Sequence, residues 1–140
     1  MKRALLGTAV VALALLAGAA NGNATNTTGT GISASVDSIA TVVVNANIVN
    51  FDFDLYNCPA GSEIVVVEWN AAEPGRPDSG ATGTSPYGIS NGDNVQHLTL
   101  SAGASGFLAG EKWVGSGQIA CGTVVVPVAG SGMTKSLNGV

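Results

Sequence analysis

The 140-residue chain carries a formal net charge of −4, with 46% hydrophobic and 10% charged residues. That length suffices for one domain with a modest core. Five basic residues against nine acidic ones, with no basic cluster, argue against nucleic acid and anionic membrane as partners, since both are held by grouped Lys and Arg.

Lys2 and Arg3 precede an apolar run from Ala4 to Ala17, and small residues continue to Ala24. Residues 1–24 therefore read as a secretory signal peptide, cut after Ala20 or Ala24. The run falls short of the roughly 20 apolar residues that span a bilayer. Ser136 to Val140 shows no second apolar span, so the mature chain is expected to leave the membrane and be secreted. Cleavage removes Lys2 and Arg3, leaving Arg76, Lys112 and Lys135 against nine carboxylates, a net charge of −6.

Residues 25–31 form a polar Gly/Asn/Thr-rich lead, expected to be mobile, and 32–140 form the domain. Helical spacing of apolar residues is absent after the signal, and strand signals are frequent. Ile32 to Val44 gives one or two short strands, followed by a turn at Asn45-Ala46-Asn47. In Ile48 to Tyr56, Val49, Phe51, Phe53 and Leu55 share one face, with Asn50, Asp52 and Asp54 on the other. Cys58-Pro59-Ala60-Gly61 stops that strand. Glu63 to Asn70 is apolar on both faces through Ile64 to Val67, the mark of a central strand.

From Ala71 to Asn94 the pattern gives way to Pro, Gly, Ser and Asn, which reads as a functional loop or one that hides a short edge strand near Tyr87 to Ser90. Val95 to Ala102 alternates again. A Gly-rich corner follows, with Phe107 and Leu108 as apolar plugs. In Lys112 to Cys121, Trp113 and Ile119 share a face with Cys121, and Gly115 and Gly117 between them leave room for a large neighbour or a bulge. Thr123 to Val128 and Met133 to Leu137 are the last strands, with Pro127 pushing the former toward an edge.

Cys58 and Cys121 are the only cysteines. Export places them where pairing is expected, and closing that loop stabilises the fold by about 4 kcal/mol on the chain-entropy account. Two free thiols or a metal site are the alternatives, but two Cys and one distant His do not complete a tetrahedral zinc site, so no metal and no cofactor is expected.

The order Cys58, Trp69, Cys121 among seven or eight short strands resembles the immunoglobulin-like antiparallel β-sandwich with one disulfide, an all-β class. Asn57-Cys58-Pro59-Ala60-Gly61, Asn91-Gly92-Asp93, Val95-Gln96-His97-Leu98-Thr99, Gly106-Phe107 and Gly110 are together similar to small secreted actinobacterial β-sandwich proteins of unknown function. Gly106-Phe107-Leu108 with Gly110, Trp113 and Cys121 also resembles the chromophore-binding apoproteins of enediyne antibiotics. That likeness implies a carrier of a small apolar ligand.

Candidate chemistry is sparse. Asp52 and Asp54 alternate on one strand face about 7 Å apart, a spacing open to Ca²⁺ or a glycosidase-like pair, but no second acidic cluster completes either, so a solvated face is expected. His97 is the only imidazole, and no Gly-x-Ser-x-Gly pattern accompanies it. Asn23-Ala24-Thr25 and Asn26-Thr27-Thr28 match the glycosylation acceptor pattern by composition. The chain is therefore expected to be no enzyme but a secreted or cell-surface binding module, whose partner is an unknown protein, a surface or a small apolar ligand. Arg76 and Tyr87 in the Ala71–Asn94 segment are the candidate anchors, and Phe107 and Trp113 the lining of a candidate cleft. A fibre subunit, pairing its lead with a neighbour's sheet edge, is a further alternative.

Overall fold

Alternation of apolar and polar residues decides the architecture. In the computed structural model, which describes residues 25–26, 30–43 and 47–137, it produces eight strands and, among these residues, no helix. The signal peptide expected over 1–24 lies outside the described residues, as do Asn45 and Ala46 of the expected turn. The strands are β1 (Thr25–Asn26), β2 (Ser33–Val42), β3 (Ile48–Tyr56), β4 (Glu63–Ala72), β5 (Gly80–Ile89), β6 (Val95–Ser105), β7 (Lys112–Cys121) and β8 (Val124–Ser136).

Seven of them close into a barrel in the order β2–β3–β6–β5–β4–β7–β8, with β1 outside against β2. Neighbours are antiparallel except at the closure, where Ile39–Val42 of β2 runs parallel to Met133–Ser136 of β8. Two junctions are partial. β5 pairs with β6 only through Gly80–Thr82 against Gly103–Ser105, and β2 meets β8 only beyond its bulge between Val36 and Ala40.

Phe51 and Phe53 of β3, Trp69 of β4 and Trp113 of β7 fill the centre. Their rings meet edge to face, with centroids 4.9 Å apart for Phe53–Trp69, 5.1 Å for Phe51–Trp69 and 5.2 Å for Phe51–Trp113. Cys58 and Cys121 are bonded, with Cα atoms 5.9 Å apart. The bond joins the end of β3 to the end of β7, strands that are not neighbours in the barrel.

The expected Ala71–Asn94 segment is not a loop throughout: Ala71 and Ala72 end β4, a tight turn covers Glu73–Ser79, and the short strand anticipated near Tyr87 to Ser90 is the longer, ten-residue β5 from Gly80 to Ile89. Only Ala81 of β5 is buried among the apolar core, so the strand has no alternation for a sequence reading to find. The two expected terminal strands are one, the thirteen-residue β8, because the small residues Ala129 to Gly132 continue the ladder with β7. Leu108, expected as a plug, is 49% exposed, while Phe107 beside it is buried.

β4 is the expected central strand, paired with β5 on one side and β7 on the other, but it is not apolar on both faces, for a specific reason. Its register slips by one residue against both β5 and β7 between Val66 and Trp69, so Val67 and Glu68 both face out while Val66 and Trp69 both face in. The facing glycines of β7 make this possible. A Cβ on Gly115 would lie 2.5 Å from Cζ2 of Trp69, and one on Gly117 would collide with the Glu68 backbone carbonyl. Gly115 thus makes room for the large ring and Gly117 for the bulge.

Candidate functional site

The strand pattern places polar side chains in rows on the outer surface. On β3 and β6, residues directly opposite one another pair: Ser101 Oγ donates to Asn50 Oδ1 at 2.7 Å, Thr99 Oγ1 to Asp52 Oδ1 at 2.6 Å, and His97 Nδ1 meets Asp54 Oδ1 at 2.5 Å. Asp52 and Asp54 therefore each bond across to β6. Ser35, Asp54 and His97 also lie in one register row across β2, β3 and β6. The carboxylate sits between hydroxyl and imidazole, the reverse of what a base-activated serine needs, and Ser35 Oγ bonds Tyr56 OH at 3.2 Å instead. Among the described residues, no three His, Cys, Asp or Glu side chains group to hold a metal ion.

The second constellation lies where the turn after β4 meets the corner after β6. Glu73 is 1% exposed. Its Oε1 accepts the Leu108 N–H at 2.8 Å and stands 3.7 Å from Arg76 Nε, which donates to the Gly106 carbonyl at 2.7 Å. The Glu73 carbonyl accepts the Arg76 N–H and the Ser79 hydroxyl, while its own N–H donates to Ser79 Oγ. Gly106 has φ 72° and rests on Ser79, where a Cβ would approach the Ser79 Cα to 3.0 Å. One buried carboxylate thus staples two surface loops into a rigid end of the barrel.

Glu73→Ala is expected to lower the unfolding free energy by about 1–3 kcal/mol in a denaturant titration, since it strands the Leu108 N–H. Glu73→Gln is expected to lose less, because its amide oxygen accepts the same bond. Equal losses in the two variants would place the effect in the charge instead.

A third feature is a shallow depression of about 360 Å³ on β4 and β5, lined by Glu68, Trp69, Asn70, Thr82, Gly83 and Thr84. The β4 bulge creates its floor, and Asn70 Nδ2 donates to Glu68 Oε2 across it at 3.1 Å.

The sequence-selected residues divide among these places. Arg76 is in the stapled turn and Phe107 beside it, buried at 3% exposed. Trp113 is wholly buried in the ring cluster. Tyr87 is 51% exposed near the far end of β5, lifted out where the β5 register slips against β4. At about 3.3 Å per strand residue, Arg76 and Tyr87 stand at opposite ends of the barrel and form no common patch. Sequence reading missed Glu73, because nothing in Glu-Pro-Gly-Arg-Pro separates a buried carboxylate from a solvated one; the Glu73/Arg76 spacing was the available signal. It also missed the depression, which exists only through the bulge. No protein-family model matches this chain, and no curated protein does.

Proposed function

We propose that the chain is a secreted or cell-surface binding module of immunoglobulin-like build, acting without catalysis on a protein or surface partner. The observation that carries this is the stapled turn: a surface element fixed by a buried carboxylate presents Arg76 without the ordering cost a free loop would bear on binding. The paired outer rows leave no activated nucleophile in support of an enzyme reading.

The immunoglobulin-like assignment draws support from the pairing order. β2, β3, β6 and the start of β5 make one side, β4, β7, β8 and the rest of β5 the other, and the two partial junctions lie between them. The disulfide crosses from one side to the other, and Trp69 stands on the strand after the first cysteine. An apolar ligand would have to displace Trp113 or Phe107, both closed from solvent, so the carrier reading draws less support from the same geometry.

The test compares Arg76→Ser and Tyr87→Ser with the parent protein, each immobilised and exposed to culture fluid and cell surfaces of the source. One variant is expected to lose about thirtyfold in capture, the mark of a binding anchor, with its disulfide intact. Full capture by both variants, or turnover of a substrate by the parent protein, overturns the reading.

A further inference from the structure

The two partial junctions leave four strand edges with unfilled ladder positions, and three of them are protected. β8 carries Pro127 in the part that pairs only with β7. β5 carries Pro86 and a bulge at Tyr87, followed by Gly88 at φ 150°. β2 is bulged between Val36 and Ala40, and β1 lies against its Ser33 and Ala34. Prolines and bulges of this kind keep an edge from recruiting another strand. β6 has neither: from Val95 to Ala102 it alternates regularly between exposed and buried, without proline, lysine or register slip.

The direction of its main-chain groups follows from two bonds. The Ala104 N–H donates to the Asn47 carbonyl and the Asn94 carbonyl accepts from Asn57, so even-numbered residues of β6 face β3. Val95, His97, Thr99 and Ser101 therefore turn their N–H and C=O groups the other way. β5 meets that edge only from Gly103 onward, so these four have no ladder partner among the described residues. The free stretch starts at Val95, ends at Ser101 and is centred on Leu98.

We propose that a second copy of this chain adds its own β6 to this edge, antiparallel, about a two-fold axis at Leu98. Val95 then faces Ser101 of the second copy and His97 faces Thr99, completing about eight N–H···O=C bonds. Only this register pairs every free residue with another free one. An axis at Thr99 drives Val95 against Gly103, where Thr82 already sits, and an axis at His97 sets Ser101 against the loop residue Asp93.

Charge favours the same strand. The facing row of Val95, His97, Thr99 and Ser101 holds no carboxylate, so an acidic chain meets itself along an edge without like charges. Asp52 and Asp54 lie one strand behind. Across three strand spacings they stand about 14 Å from their counterparts, beyond the screening length of about 8 Å at physiological salt. The dimer does not depend on the Arg76 or Tyr87 surface, and the two are read in separate experiments.

Sedimentation velocity on the disulfide-bonded protein is expected to show a dimer at about 100 μM. Hydrogen exchange at the Val95, His97, Thr99 and Ser101 amides is expected to slow as concentration rises. Thr99→Pro removes an N–H that the barrel does not use, so the chain keeps its fold while association weakens about tenfold or more. Thr99→Lys, a charged edge residue, gives the same loss if proline disturbs β6. A monomer at that concentration, a dimer that survives both substitutions, or exchange at the four amides that ignores concentration overturns the proposal.

Discussion

Gly117→Ala is expected to cost about 3 kcal/mol or more of unfolding free energy, a large loss for one added methyl. The methyl would occupy the position of the Glu68 carbonyl, with the Trp69 Cα also within 2.9 Å. Both obstacles are backbone, so neither can swing aside as a side-chain tip would. To admit the methyl, β7 must separate from β4 or the bulge must iron out, and the second route turns either Val66 or Trp69 to the surface. Gly103→Ala is the control: nothing lies within 4 Å of its Cβ position, and its φ is not positive. It should be neutral or slightly stabilising, because alanine has less freedom to lose on folding. Denaturant midpoints of the two variants, taken at equal slope, check the contrast. Similar midpoints would mean the bulge is not rigid.

Replacing both cysteines, Cys58→Ala with Cys121→Ala, is expected to remove about 2–5 kcal/mol. The two residues are 63 apart in sequence, a span whose closure is worth about 4 kcal/mol in the unfolded chain. Both sulfurs are buried, so the alanines also leave unfilled volume, which adds to the loss. In the parent protein, thiol labelling should find no free cysteine without denaturant. A double variant within about 1 kcal/mol of the parent would show that the strand ladder alone already restrains this loop in the unfolded ensemble.

How much of this could be read from residues alone depends on where apolar spacing is regular. β3 was read from Ile48 to Tyr56 with its inner and outer faces assigned, because Val49, Phe51, Phe53 and Leu55 alternate without interruption and all four are buried. β7 was read with its ends and with Gly115 and Gly117 as room for a ring or a bulge, and each glycine turned out to serve one of the two. The disulfide was expected from two cysteines and an N-terminal run read as an export signal, and Cys58 and Cys121 are bonded.

β4 was read as a central strand and does pair on both sides, with β5 and β7; only its outer face was misread, because a one-residue bulge makes Ile64 to Val67 look apolar on both faces. β5 was anticipated only as a short edge strand near Tyr87 to Ser90, because a strand whose side chains nearly all face water carries no periodic apolar signal. The Glu73 staple escaped notice for a related reason: burial of a carboxylate comes from a distant loop, here Gly106 to Leu108, folding over it. Local sequence holds no trace of that beyond the Glu73/Arg76 spacing.

The parallel closure between β2 and β8 bears on how the chain reaches this state. Ile39 pairs with Met133, so the first long strand can find one of its two neighbours only after the chain has been made through Met133. Contacts so far apart in sequence are slow to form, because the intervening loop must be closed before any of them stabilises it. During synthesis, the Ile39–Val42 segment must wait unpartnered on that side while β3 to β7 assemble. Ala40–Val42 pair with Val49–Phe51 of β3 on their other side, so β2 and β3 can join first as a hairpin, and the edge they leave open is closed last by β8, as a latch.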